Sequence, residues 1–175
     1  MDGELGTALT LLMEGYGAEI YRHCLQVIGD RELAADVHQT VFLQAYRDMA
    51  RFGGRSSFRT WLYSIARHRC LDAIKSQRRW SLRFLLGSEE KEQRDPGPTV
   101  REVLEGHSDI QAVERALLQL KPAVRIAVLL RYREEMSFEE MSEVCGEKAS
   151  TLQARVARAL PKLRRIIRQG GGSSD

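Results

Sequence analysis

The chain has 175 residues, 43% of them hydrophobic and 29% charged, the balance of a globular protein large enough for one ordinary domain or two small ones. Its longest apolar runs, such as the five residues Ile126 to Leu130, fall far short of the roughly 20 needed to cross a bilayer. The opening Met1-Asp2-Gly3-Glu4 is acidic and leads into no basic-then-apolar signal, so a cytoplasmic location is expected. The three cysteines, Cys24, Cys70 and Cys145, are odd in number and far apart, the pattern of reduced thiols and not of a disulfide framework.

The net charge of +3 hides an uneven distribution. Residues 1–86 carry 12 basic and 9 acidic side chains, residues 87–108 carry 3 and 6, and residues 109–175 carry 12 and 9. The middle piece, GSEEKEQRDPGPTVREVLEGHS, contains Pro96, Pro98 and three glycines, with little to build a core. It reads as a flexible linker between two separate small lobes.

Apolar residues recur at helical spacing throughout, and no strand pattern stands out. A first helix spans roughly Leu9 to Val27, with a possible break at Gly15 to Gly17. A second runs from Leu33 with Val37, Val41 and Ala45 on one face, capped by Asp30 and ended by Gly53-Gly54. The third begins near Ser56-Ser57, either of which can accept orphan amide protons, and buries Leu62, Ile65, Ala66, Cys70 and Ile74. Beyond the linker come helices over Ile110 to Leu120 and over Pro122 to Tyr132, with Pro122 in a tolerated first-turn position. Ser137-Phe138-Glu139-Glu140 is a capping box opening a short helix that stops at Gly146. A last helix from about Lys148 places Leu152, Val156, Ala159, Leu160 and Leu163 together. Short helix, glycine turn, longer helix is the helix-turn-helix order.

Charge separates the last two helices. Residues 134–147 hold six glutamates and no basic residue, whereas residues 148–168 hold seven basic residues and no acid. The last helix is therefore the one suited to phosphates. Arg155 and Arg158 can share one exposed side, and arginine can offer paired donors to guanine. A second basic concentration lies at residues 51–83, where nine cations and the single acid Asp72 interleave with Phe52, Phe58, Trp61, Tyr63 and Trp80. Cations that follow a backbone beside aromatic faces that stack on bases suit single-stranded nucleic acid. Phe58 and Trp61 also have the spacing of core residues.

The stretch GDRELAADVHQTVFLQAYRDMARFGGRSSFRTWLYSIARHRCLDAIKSQRR resembles region 2 of the extracytoplasmic-function (ECF) sigma factors of the sigma-70 family. ALLQLKPAVRIAVLLRYREEMSFEEMSEVCGEKASTLQARVARALPKLRRII resembles region 4 of that family. The resemblance implies an all-α protein with two small helical domains: region 2 over residues 1–86 and a four-helix region 4 over 109–170, joined by the 87–108 linker and followed by a disordered tail at 171–175. It implies a promoter-specificity subunit, not an enzyme, that docks on RNA polymerase core through the clamp helices of the largest subunit and the flap of the second-largest. By the same resemblance Asp36, Gln39, Phe42 and Leu43 contact polymerase. Arg55, Ser56, Ser57, Phe58, Arg59, Trp61, Tyr63, Arg67, His68 and Lys75 meet the minus-10 element. Ser150, Thr151, Gln153, Arg155 and Arg158 meet the minus-35 element. Promoter DNA and an anti-sigma factor are the other implied partners.

Some positions depart from the family pattern. Thr40-Val41 stands where Glu-Thr is common, His68 where asparagine is frequent, Ser150 for a common glycine and Gln153 for a common lysine or arginine. Pro161, inside the last helix, costs about 3 kcal/mol and predicts a kink or a stop there. No metal or cofactor is expected: His23 and Cys24 are adjacent and His68 and Cys70 two apart, so their side chains diverge on a helix. No catalytic constellation stands out either. On the residues alone, a free-standing helix-turn-helix regulator and an RNA-binding helical module are the other readings.

Overall fold

A computed structural model describes the backbone over residues 2–86 and 108–170, with side chains over 6–83 and 110–169. These residues form α1 (Asp2–Ile28), α2 (Arg31–Asp48), a short 3-10 turn at Met49–Arg51, α3 (Phe58–Leu86), α4 (Ser108–Leu118), α5 (Pro122–Tyr132), α6 (Phe138–Cys145) and α7 (Ala149–Gly170). No strand occurs among the described residues. The expected linker is outside them up to residue 107, Ser108 already belonging to α4, and the 171–175 tail lies outside them too.

α1, α2 and α3 form the first lobe, around the buried Ile20, Cys24, Val27, Ala34, Val41, Leu62, Ala66 and Cys70. α1 runs unbroken through Gly15 and Gly17. Burial of one face outweighs the roughly 1 kcal/mol that each glycine costs a helix. Gly17 instead admits α2, whose His38 Nε2 lies 3.0 Å from the Gly17 carbonyl oxygen. α1 ends at Gly29, φ +81°, and Asp30 caps α2 by accepting from the Leu33 amide at 2.8 Å. Ser57 Oγ likewise accepts from the Thr60 amide at 3.0 Å at the start of α3.

The second lobe follows its sequence signals closely. The capping box is complete: Ser137 Oγ accepts from the Glu140 amide at 3.1 Å and Glu140 Oε2 from the Ser137 amide at 2.8 Å. Gly146 adopts the left-handed conformation, φ +66°. Leu152, Val156, Ala159 and Leu163 of α7 are buried. Pro161 does not stop α7, which continues to Gly170. The proline is exposed, as is Ala157, whose carbonyl loses its helical donor.

The lobes are not separate. α6 packs on α3, and α4 and α5 approach α1. The buried Arg125 of α5 donates to the Val27 carbonyl of α1, and also to the carbonyls of Leu118 and Leu120 at 2.9 and 3.1 Å. Burial, with Arg78 nearby, lowers its pKa to about 10. Gly29 lies so close to α4 that a Cβ there would fall 2.6 Å from Leu118 Cδ2. At this junction Arg59 and Arg67 of α3 meet Glu134 and Glu147, which lie in the turns flanking α6.

Candidate nucleic-acid interface

Where the 3-10 turn leads into α3, three rings gather. Phe52 and Phe58 stack with centroids 4.4 Å apart, and Trp61 lies 4.9 Å from Phe52. Trp61 is half-buried against the core, while Phe58 keeps 42% of its surface exposed. Gly53 and Gly54, the latter at φ +65°, bring the chain past this cluster. Arg55 and Ser57 are exposed beside it and Ser56 is partly so. An aromatic face ringed by a cation and hydroxyls can stack an unpaired base and hold its phosphate.

Further along α3 the expected DNA-facing residues divide. His68 and Lys75 are exposed, with His68 Nδ1 placed 2.7 Å from the Ser64 carbonyl oxygen. Tyr63 is fully buried, so it does not lie at the surface with them. Its hydroxyl reaches Glu134 Oε2 at 2.5 Å and Glu19 Oε1 at 2.9 Å, and burial together with the two carboxylates pushes its pKa far up. Arg59 donates to Glu19 Oε1 at 2.8 Å and to the Glu134 carbonyl at 2.9 Å, with its cation 3.5 Å from Glu134 Oε2. Arg67 stands 3.7 Å from Glu147 Oε1.

Glu134 is the centre of this cluster and sits in the second lobe, just after α5. Burial alone would raise its carboxyl pKa, but the His23 ring and the Tyr63 hydroxyl outweigh that and hold it below the usual carboxylate range. At 3.4 Å, His23 Nδ1 lies close to Glu134 Oε1 without forming a hydrogen bond, leaving Tyr63 the firm donor.

On α2, Asp36, Gln39 and Leu43 are exposed at spacings of three and four, one continuous stripe. Phe42 does not join them. It is buried, with its ring 5.0 Å from that of His38, and so belongs to the core.

On α7, Ser150, Thr151, Gln153 and Arg158 are exposed on the first three turns. Leu152, Val156 and Ala159 beneath them hold the helix to its lobe. Arg158 and Arg155 do not share one free surface. Arg158 is exposed, its Nε donating to the Ala154 carbonyl at 3.1 Å. Arg155 forms a two-pronged contact with Glu147, one prong measuring 2.8 Å. That bond holds the Glu147 carboxyl below its ordinary pKa and raises the arginine's.

Sequence reasoning missed Glu19, Glu134, Glu147 and Arg125. Arg125 had a signal, a cation inside the apolar run from Val124 to Leu130, whereas Glu134 and Glu147 are two of six glutamates in one acidic stretch. The three cysteines are buried free thiols, and Cys70 is held protonated by its hydrogen bond to Cys24 and by burial. Among the described residues no cluster could hold a metal ion, and no helix is long and apolar enough to cross a membrane.

Residues 12–79 match the protein family Sigma-70 region 2, and residues 110–163 match Sigma-70, region 4. The ECF RNA polymerase sigma factor SigC of Mycobacterium tuberculosis is 32% identical over 154 residues, which cover 88% of this chain and 80% of SigC. ECF RNA polymerase sigma factor SigX of Bacillus subtilis is 27% identical over 164 residues, 91% of this chain and 84% of SigX. Among solved structures, the sigma factor RpoE in complex with the anti-sigma factor NepR, from Bartonella quintana, has the same fold. Its TM-score is 0.74 at 20% identity, covering 91% of this chain and 96% of RpoE. CnrH in complex with the cytosolic domain of CnrY follows with a TM-score of 0.68 at 19% identity, covering 94% and 90%. With the region 2 match on the first lobe and the region 4 match on the second, the chain belongs to the ECF sigma factors of the sigma-70 family.

Proposed function

We propose that this chain is an alternative sigma factor that joins RNA polymerase core and directs it to its promoters, reading the minus-35 element with α7 and reading and opening the minus-10 element with the 52–58 turn and α3. The observation that carries the reading is the order of the two family matches, region 2 on the aromatic-basic lobe and region 4 on the helix-turn-helix lobe. Asp36, Gln39 and Leu43 are the candidate contacts to the clamp helices, exposed on one stripe of α2. Phe58, Trp61, Arg55 and Ser57 are the candidate pocket for a base drawn out of the duplex. Unstacking a base costs a few kcal/mol, and one aromatic stack recovers about 1–3 kcal/mol, so with phosphate contacts to Lys75 and its neighbours the strands can part without ATP.

On α7, exposed Gln153 can pair with adenine and exposed Arg158 with guanine or phosphate. Among solved structures with the same fold, RpoE is in complex with the anti-sigma factor NepR and CnrH with the cytosolic domain of CnrY. An inhibitor that covers these surfaces is part of the same proposal.

The test is transcription reconstituted from purified parts. Core polymerase with this protein should yield transcripts from a discrete set of genomic start sites that core alone does not use. Tight sequence-specific binding by the free protein, with no change in what core transcribes, would make it a free-standing regulator instead.

A further inference from the structure

Where α1 and the first turn of α2 face α4, the surface folds inward to a cavity of about 470 Å³. Leu25, Ile110, Leu117 and Leu118 give it apolar walls, while Arg22, Arg31 and Arg133 line it with three cations against the single carboxylate of Glu114. The protein leaves these cations unanswered. Among the described residues neither Arg22 nor Arg31 pairs with a carboxylate, and Arg31 Nε is sealed from solvent with no acceptor. Gln26 Oε1, at the same cavity, is sealed without a partner too. Arg133 Nε stands 3.9 Å from Glu134 Oε1, outside hydrogen-bond reach. Burial raises the Glu114 carboxyl pKa despite Gln26 and Arg133, so that group is a poor counter-ion.

We propose that this cavity binds a small anionic amphiphile, a molecule with an apolar body and one carboxylate headgroup. A buried donor without an acceptor is costly, and apolar walls left wet forgo the hydrophobic gain. One ligand answers both: its body covers the leucines and Ile110, and its headgroup accepts from the guanidiniums, whose forked donors match a carboxylate. Size argues for a small molecule over a protein segment. Pockets for drug-sized ligands span about 300–1,000 Å³, whereas a single helical turn, roughly 10 Å across with a pitch of about 5.4 Å, fills about 400 Å³ by itself. The site belongs to the free chain and uses none of the residues assigned to promoter or polymerase contacts, so it goes beyond the sigma reading and does not depend on it.

The probes are decanoate, which has both parts, decan-1-ol, which has the body alone, and acetate, which has the head alone, each kept too dilute to form micelles. Titration calorimetry on the full-length protein should show one decanoate bound per chain, with decan-1-ol and acetate each about tenfold weaker or more. The Arg31 Nε resonance in a proton–nitrogen spectrum should shift along the same saturation curve, and Tm should rise with decanoate concentration. R22Q/R31Q should lose about tenfold in decanoate affinity at unchanged helicity. R47Q/R115Q, which removes the same charge from exposed positions that do not line the cavity, should lose none. Decanoate binding that never saturates, decan-1-ol binding as tightly as decanoate, or equal losses in R22Q/R31Q and R47Q/R115Q would overturn the proposal. The three probes act on the wild-type chain, so the test holds even if R22Q/R31Q fails to fold. None of these results touches the sigma reading, which stands or falls on transcription by the wild-type protein with core polymerase.

Discussion

The Glu147 carboxylate, in the turn before α7, grips the Arg155 guanidinium through two parallel hydrogen bonds. The helix-turn-helix thus carries its own acceptor for one of the two arginines expected to meet the minus-35 element. For Arg155 to reach guanine, Glu147 must let go, and the Arg67 contact at 3.7 Å loosens with it. Arg155→Ala should therefore lower discrimination at one base pair of the minus-35 element by about 1–3 kcal/mol, measured by holoenzyme binding to duplexes substituted one base pair at a time. Uniform weakening on every duplex would make Arg155 a phosphate contact.

Trp61 is wedged between the core and the Phe52–Phe58 stack. Trp61→Ala should destabilise the first lobe by about 3 kcal/mol, the lower end for a large aromatic because the ring is only half-buried. Urea denaturation gives the number directly. A variant of full stability that fails only in strand opening would place the ring's role at the DNA surface.

Acid should part the lobes. Glu134 and Glu147 both have carboxyl pKa values lowered in the folded protein, so each favours the deprotonated form. Their contribution is complete above the unfolded glutamate value of about 4.3 and is lost as pH falls through their lower folded values. Tyr63, its pKa pushed far up, stays a donor to Glu134 through the alkaline range. The radius of gyration should be constant from about pH 5 to 8 and rise below about pH 4. Expansion beginning near pH 6.5 would point to another group.

The parts of the fold that local chemistry determines were legible in the sequence. Asp30, Ser137 with Glu140, and Gly146 act on amides and dihedrals within a few residues of themselves, and each occurs where its residue type implied. Gly15 and Gly17 do not break α1, nor does Pro161 stop α7, because packing overrides propensity: α1 is held by Ile20, Cys24 and Val27 beyond its glycines, and α7 passes Pro161 with Leu163 buried two residues on. The exposure of Phe58 and of Ser150, Thr151, Gln153 and Arg158 on α7 was legible, because it follows helical period. The environment of Tyr63 and Arg59 was not, because it depends on Glu134, more than 70 positions away in the chain, and no spacing rule reaches that far.

Pro161 gives an independent check on α7. Since the helix continues past it, Pro161→Ala restores a donor to the Ala157 carbonyl and relieves ring crowding, less the entropy that proline removes from the unfolded chain. The second lobe should gain about 1–2 kcal/mol, read as a higher Tm. A lower Tm would mean that α7 needs the local distortion.

The most direct test of the central claim is permanganate reactivity of thymines in a promoter recovered from the transcription assay, with core polymerase, with this protein, and with both. Both together should expose thymines around the minus-10 position without ATP, while either alone leaves the duplex unreactive. A duplex that stays closed with both present, at a promoter the mixture occupies, would contradict the account.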